Sequence, residues 1–216
     1  MKAKYLPSSD YIYRCKKIPE HGSVVAGPES VPWQLFETVP LVDTVTGLPP
    51  LEPTRVSACW DREFLHIRFV CQDPYMISVY TDRDDPLYEQ DVIEIFIDEL
   101  GMGTEYMEIE VSPNNVIFDA LIQNDGRGAI VQADLAWNIE GMETEVAVSA
   151  DSTRVYDIRI PMNAFRRPIE AGDCWRTNFY RIDEQPNGER EYQAWSPTGA
   201  VNFHLSQAFG WMEFIM

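Results

Sequence analysis

Basic residues are scarce in this chain. The 216 residues include 17 Lys and Arg against 35 Asp and Glu, which gives a formal net charge of -18 at pH 7. Phosphate backbones and anionic membranes attract positive surfaces, so this balance argues against nucleic acid and membrane partners. It permits a neutral ligand and favours a cationic one. Solubility alone accounts for most of such an excess of acidic residues.

Cysteine, histidine and long apolar runs are also limited. The four cysteines, Cys15, Cys59, Cys71 and Cys174, show no metal-type CxxC spacing, and the three histidines show no zinc-type spacing. An even number of cysteines allows disulfides, but the spacing demands none. No run approaches the length of a membrane-spanning helix, and the N-terminus lacks the apolar stretch of a signal peptide. We therefore expect a cytoplasmic protein, unless a signal precedes this sequence.

Helix signals are few, whereas short strand patterns recur along the chain. Met162–Phe165 and Leu205–Ala208 each have the signals of about one helical turn. Strand patterns with turn residues between them cover residues 55–60, 63–72, 91–98, 105–112, 116–122, 143–149, 154–161, 175–183, 191–195 and 209–215.

These patterns predict an all-β fold. Many short strands with polar turns are typical of an antiparallel β-sandwich of the jelly-roll or immunoglobulin-like type, here with one or two short helical turns. The length suits one such domain, which we place at residues 31–216. Residues 1–30 are broken by Gly and Pro, and we expect them to form an extended lead-in that packs on the body.

The most informative segment is Tyr88–Glu99, in which acidic and aliphatic residues alternate. Successive side chains of a strand point to opposite faces, so the isoleucines of Ile93–Ile97 form a core face. Glu94 then lies on the other face among apolar neighbours, where an unpaired carboxylate is costly. Its partner is expected to be a metal ion, a ligand hydroxyl, or an arginine such as Arg68 or Arg181.

Four segments together resemble carbohydrate-binding module family 9 and its family 9-like relatives, which include modules attached to xylanases. These segments are Tyr88–Glu99, Ala58–Ile67, Ala194–Pro197 and Asn202–Gly210. The resemblance runs from about residue 55 to the C-terminus and is specific in the acidic strand. It implies a β-sandwich that binds a mono- or oligosaccharide at the end of a glycan without cleaving it.

The resemblance also implies which residues bind the sugar. The family clamps a sugar ring between two tryptophans, and these align with Tyr88 and near Phe203, which are aromatic but not Trp. The carboxylate that contacts sugar hydroxyls aligns with Glu94. An Arg and an Asn of the family align roughly with Glu108 and Glu110, which is a departure from the pattern.

Rings cover the C–H face of a sugar and carboxylates or amides take its hydroxyls. The candidate ligand-binding residues that supply these groups are Tyr88, Glu94, Glu108, Asn202, Phe203 and Trp195. A core position also explains Phe203 and Trp195, and for Trp195, inside a strand, core is the simpler interpretation.

Calcium is the one cofactor that the resemblance implies, as a structural ion in acidic loops. Ca²⁺ takes six to eight oxygen ligands and favours clustered carboxylates. The densest acidic part of the chain offers Asp73, Asp85, Glu89 and Asp91, without the spacing of an EF-hand. A solvated acidic loop is the alternative.

Three other functions stay open. Glu94 and Glu108 on adjacent strands are the type of carboxylate pair that a glycoside hydrolase needs. A haem protein would use a Met with His66 or His204, and nothing in the sequence selects a pair. The acids at Glu108 and Glu110 also fit a degenerate β-sandwich interaction domain that has lost sugar binding.

Overall fold

The computed structural model describes residues 11–19 and 31–216, in which strands join one hydrogen-bonded sheet of 14 strands. The strands are β1 (Ile12–Lys17), β2 (Thr38–Pro40), β3 (Val42–Asp43), β4 (Thr54–Trp60), β5 (Phe64–Gln72), β6 (Val92–Asp98), β7 (Glu105–Val111), β8 (Ile117–Asn124), β9 (Ile130–Asp134), β10 (Glu143–Val148), β11 (Thr153–Pro161), β12 (Cys174–Glu184), β13 (Arg190–Ala194) and β14 (Gly210–Ile215). The helical elements of this described part are 3-10 turns at Trp33–Leu35, Leu87–Glu89, Met162–Ala164 and Ser206–Ala208. None of them is long and apolar enough to cross a membrane.

The strand order confirms the predicted all-β sandwich. The main path runs β10-β11-β5-β4-β1-β14-β12-β6-β7-β8-β9, while β13 pairs with β12 and β3, and β2 pairs with β4. All of these pairings are antiparallel except those of β1, which runs parallel to both β14 and β4. The fold is therefore a β-sandwich with one parallel strand in an otherwise antiparallel arrangement.

Every segment with a predicted strand pattern is a strand, with ends shifted by one or two residues. The strand patterns in the sequence do not indicate β1, β2, β3 and β9. In β1 charged side chains alternate with Tyr13 and Cys15, which are both fully buried. Within residues 11–19 the chain therefore contributes a strand to the sheet. Residues 1–10 and 20–30 lie outside the described residues, and the division into domains stays a prediction.

Two apolar clusters pack on the two faces of β6. Its isoleucines Ile93, Ile95 and Ile97 lie in the main core together with side chains of β4, β5 and β11, as the alternation predicts. Val92 and Phe96 point the other way and join a second cluster with side chains of β7, β8 and β12.

The cysteines are thiols that pack as small apolar side chains. Cys15, Cys59 and Cys71 are buried, Cys174 is partly buried, and all four are free. Burial raises the pKa of the Cys71 thiol to about 11. This thiol is therefore protonated at neutral pH and has low reactivity.

Gly210 is expected to tolerate no larger residue. A Cβ placed there would lie 2.5 Å from Cζ3 of Trp195 and 2.9 Å from the carbonyl oxygen of Tyr11. Trp195 is only 4% exposed, and its ring packs against Tyr13 and Phe179, which restrict its movement. Gly210→Ala should therefore lower the free energy of unfolding by about 1–3 kcal/mol, which thermal denaturation measures.

A double-mutant cycle provides the control for Gly210→Ala. In a Trp195→Leu background the added methyl group meets a smaller side chain, so Gly210→Ala should cost less than in the wild type. An equal cost in both backgrounds would show that the contact with the ring is not the cause.

Candidate ligand-binding site

A cleft of about 710 Å³ opens on the face of the sheet that carries the second apolar cluster. Side chains of β6, β7, β8 and β12 form its floor, and β9, β13 and two loops form its sides. The loops contribute residues 84–88 and 201–204. The cleft is thus built from the acidic strand β6 and from the chain near the C-terminus, which meet only in the folded protein.

Three glutamates lie together on the floor of the cleft. Glu94 of β6 is directly opposite Glu110 of β7, and Glu108 is opposite Phe96, two residue pairs further along and therefore on the same face. The three side chains are 2%, 0% and 6% exposed for Glu94, Glu110 and Glu108. One carboxylate oxygen of each lies within 4.8 Å of the others. We refer to these three residues as the glutamate cluster.

The glutamate cluster has few hydrogen-bond partners. Oε1 of Glu94 and both carboxylate oxygens of Glu110 are buried and accept no hydrogen bond. The backbone N–H of Tyr88 lies near Glu110 and opposes its pKa shift, but does not complete a hydrogen bond to it. Buried polar atoms without partners are rare in folded proteins and are typical of places where a ligand supplies the partner.

Burial makes ionisation of the glutamate cluster unfavourable. Desolvation raises the pKa of Glu94 well above its ordinary value, and repulsion from Glu108 adds to the shift. Desolvation also raises the pKa of Glu110, followed by repulsion from Glu94 and Glu108. Desolvation raises the pKa of Glu108 to about 8. In the empty cleft these carboxyl groups therefore retain protons at a pH where ordinary glutamates have lost them.

The arginines that we considered as partners of Glu94 lie elsewhere. Arg68 forms a two-point ion pair with Asp157, with bonds of 2.7 and 2.6 Å. Arg181 contacts Asp183 and lies in a separate buried group of acids. The prediction of an ion pair for Glu94 is therefore wrong. Arg68 lies on β5, which is not a neighbour of β6, and Arg181 lies opposite Ile93 rather than Glu94.

His204 is the basic group nearest to the glutamate cluster among the described residues. Its Nε2 lies 3.8 Å from Oε1 of Glu108. Burial lowers the pKa of the imidazole to about 4, so His204 is neutral at pH 7. Its Nδ1 lies 2.8 Å from the hydroxyl of Tyr106, which in turn accepts a hydrogen bond from Asn124. This network fixes the ring but supplies no positive charge.

Aromatic rings line the cleft at its rim and along one wall. Tyr88 lies in the 3-10 turn after Pro86 and is 51% exposed. Phe203 is almost buried and stacks on Tyr180, with ring centroids 4.1 Å apart and planes within 13°. Tyr192 also lines the cleft and meets Phe203 edge-on. Both predicted clamp positions therefore reach the cleft, one as an exposed ring and the other as part of a packed wall.

The other two candidate ligand-binding residues differ in position. Asn202 lines the cleft, but its amide donates to the Gly128 carbonyl and accepts from the His204 backbone, so it holds the loop. Trp195 does not line the cleft. It lies in the main core beside Tyr13 and Phe179, because the chain turns inward after β13. Trp195 is thus a core residue, the simpler of the two interpretations.

The four predicted calcium ligands each have a protein partner. Asp73 pairs with Arg154, and Asp91 accepts bonds from two backbone N–H groups. Asp85 accepts from two N–H groups of its own loop, and Glu89 accepts from the hydroxyl of Tyr80. In the described part of the chain the four do not converge on one point. These residues do not fit one calcium ion, and calcium binding stays a prediction without an assigned site.

The candidate set lacked Glu110, Tyr192 and His204, which all line the cleft. A sequence signal existed for Glu110, since residues two apart on a strand share a face and Glu108 was a candidate. Tyr192 and His204 carried no such signal. Their place depends on how β13 and the loop before β14 fold over the sheet.

The fold and the cleft define a β-sandwich ligand-binding module. A family model described as "Carbohydrate family 9 binding domain-like" matches residues 33–215. The chain belongs to this family, which confirms the resemblance seen in the four sequence segments.

Individual relatives are similar to this chain over most of its length. An "Extracellular protein" of Arthroderma benhamiae is 23% identical over 210 residues, which cover 90% of this chain and 92% of that protein. A family 9 module from Caldicellulosiruptor kristjanssonii in complex with cellotriose is 17% identical, with a TM-score of 0.66 and coverage of 94% and 93%. A glucose complex of such a module from the same organism is 16% identical, with a TM-score of 0.61 and coverage of 94% of both chains. At this level of identity the solved structures show a common fold.

Proposed function

We propose that this protein is a non-catalytic carbohydrate-binding module whose cleft holds a mono- or oligosaccharide. The observation that carries the proposal is the cleft of about 710 Å³, in which exposed and packed aromatic rings lie beside unpartnered carboxylates. Sugar recognition requires these two types of group. The family membership and the saccharide complexes of the two Caldicellulosiruptor structures support it.

In the proposed complex each group has a distinct role. Tyr88 covers one face of a sugar ring at the rim, and Phe203 with Tyr192 forms the apolar wall. The glutamate cluster takes hydroxyl hydrogen bonds at the floor, where its protonated carboxyl groups donate as well as accept. Asn202 holds the loop that carries Phe203 in place.

The test is isothermal titration against a panel of mono- and oligosaccharides. Wild-type protein is expected to bind at least one of them, and Tyr88→Ala should weaken that binding by about tenfold or more, equivalent to roughly 1.4 kcal/mol of lost stacking. Tyr75→Ala is the matched control, because Tyr75 is 40% exposed and does not line the cleft. The titration is repeated with calcium and with EDTA.

Other outcomes point to the other functions. Equal affinity of wild type and Tyr88→Ala would place the binding site elsewhere. A flat response to the whole panel would favour the degenerate interaction domain. Cleavage of an oligosaccharide, abolished by Glu94→Gln, would favour a glycoside hydrolase that uses the close Glu94 and Glu108 pair.

A further inference from the structure

The carboxyl groups on the floor of the cleft lack basic partners. The glutamate cluster brings three carboxyl groups together, and the described Lys and Arg side chains make no ion pair with any of them. Arg190 also lines the cleft, but it pairs with Glu184 at 3.1 Å. Glu110 is fully buried with both oxygens unpartnered, and it faces the cleft. A neutral sugar hydroxyl satisfies such atoms only in part, whereas a cation satisfies both their hydrogen bonds and their charge.

The spacing of the cluster suits an ammonium group. A protonated amine has three donors in tetrahedral directions, with N–H···O distances of about 2.8 Å to carboxylates. Three oxygens bound in this way lie about 4.6 Å from one another. The nearest oxygens of the three glutamates lie within 4.8 Å of each other, so one nitrogen is able to contact all three.

The surroundings of the cluster favour an organic cation over a bare metal ion. The remaining walls are largely apolar. Phe118 lies directly opposite Glu110, and Ile122 and Ile182 also line the cleft. A metal ion requires further oxygen ligands and would leave most of the 710 Å³ unfilled. A sugar ring that carries an amine fills the aromatic part of the cleft and places its charge at the floor.

We propose that the glutamate cluster binds the ammonium group of an amino sugar, so that the preferred ligand of the cleft is a saccharide with a free amine. This inference rests on the proposed carbohydrate-binding function and specifies its ligand class. It gives the acids at Glu108 and Glu110 a role, because they make the site complementary to a positive charge.

Binding of the ammonium group is coupled to proton release. Without a ligand, burial raises the pKa of each carboxyl group, and repulsion adds to the shifts of Glu94 and Glu110. A bound cation lowers these pKa values again. The other titratable groups that act on the cluster are Tyr106, Tyr180 and His204, and all three are neutral near pH 7 because of burial. Protons released on binding therefore come from the cluster.

Three ligands that differ at one position test the proposal. They are the β-1,4-linked dimers of glucosamine, of N-acetylglucosamine and of glucose, which carry an ammonium group, an amide and a hydroxyl at the same carbon. At about pH 6 an ordinary aliphatic amine is protonated. Isothermal titration should give the glucosamine dimer an affinity about tenfold or more above the other two. Titration in two buffers of different ionisation enthalpy should reveal proton release for this ligand.

Glutamine variants test whether the preference for an amine depends on the charge of the glutamate cluster or on the size of its side chains. The double variant Glu94→Gln with Glu110→Gln keeps the size of both side chains and removes their negative charge. The affinity ratio of the glucosamine dimer to the glucose dimer should then fall to below about twofold. Glu140→Gln, which removes an exposed acid outside the cleft, should leave the ratio unchanged.

Each remaining outcome overturns the proposal in a recognisable way. Equal binding of the three dimers, weakened in each case by Tyr88→Ala, would reject the amino sugar and leave carbohydrate binding intact. A saccharide affinity that depends on added calcium and is lost with EDTA, with no advantage for the amine, would make the cluster a metal site. Absence of binding by all three, and by the wider panel, would reject the proposed function as well.

Discussion

Replacing Arg181 with methionine is expected to lower the free energy of unfolding by about 3–5 kcal/mol. Arg181 is 3% exposed and contacts the carboxylate of Asp183, while Asp73 and Glu52 each lie 3.8 Å away. Its guanidinium also donates to the backbone carbonyl of Gln72 at 2.8 Å. Its removal leaves Asp183 and Glu52 without a counter-charge, whereas Asp73 keeps Arg154. Such uncompensated buried charges are strongly destabilising. Urea denaturation measures the effect.

The control for this change is an exposed ion pair. Arg166 pairs with Glu105, and the two side chains are 55% and 34% exposed. Arg166→Met should therefore cost only about 0–1 kcal/mol. A loss for Arg181→Met no larger than that of Arg166→Met would show that the buried acids do not depend on Arg181.

Glu110→Gln is expected to stabilise the protein at pH 8 by about 2 kcal/mol, or roughly 4–8 °C in Tm. The folded pKa of Glu110 is raised above the unfolded value near 4.3 by burial and by repulsion from its two neighbours. The folded state therefore binds more protons than the unfolded state above that pH. Its stability falls as the pH rises, and glutamine removes this dependence.

The sign of the pH dependence is the decisive observation. At about pH 4 Glu110 is protonated in both states, so wild type and variant should agree to within about 1 kcal/mol. The advantage of the variant should grow between pH 5 and about pH 8, where Glu108 of the same cluster also titrates. Thermal unfolding at four or five pH values measures this difference, from which titrating groups outside the glutamate cluster cancel.

Glu140→Gln serves as the control here too, because this exposed acid should give no pH-dependent gain. A difference between wild type and Glu110→Gln that is constant with pH, or a variant that is less stable at pH 8, would contradict the raised pKa. The prediction holds whichever ligand the cleft takes, since it concerns the empty protein.

These two predictions describe opposite ways of burying acids. Around Arg181 the protein supplies the counter-charge itself, so the acids contribute to structure. In the glutamate cluster it supplies none, and the cost lowers the stability of the empty protein. A site that is destabilised in this way and completed by a ligand is a common pattern at functional positions.

The alternation of apolar and acidic residues in β6 predicted the main features of the fold. Side chains two residues apart on a strand share a face, so the isoleucines of Ile93–Ile97 mark the face that packs in the main core. The same rule placed Glu94 on the ligand side. It gave no information on β1, where charged residues conceal two buried side chains, Tyr13 and Cys15.

The sequence does not predict which basic side chain pairs with each buried acid. Asp73 and Glu94 are both buried acids, yet Asp73 pairs with Arg154 and Glu94 has no basic partner in the described part of the chain. Which arginine reaches which acid depends on strand order in the sheet and on the direction of each side chain. For the same reason the acids proposed for calcium did not assemble, although they are close in sequence.

The central claim is that a saccharide occupies the cleft above the glutamate cluster. The most direct measurement is the crystal structure of the protein with the tightest-binding saccharide of the panel. We predict a sugar ring packed on Tyr88 with a polar substituent within hydrogen-bond distance of Glu94, Glu108 or Glu110. A saccharide bound on another surface, with Tyr88 and the glutamate cluster uncontacted, would contradict the account.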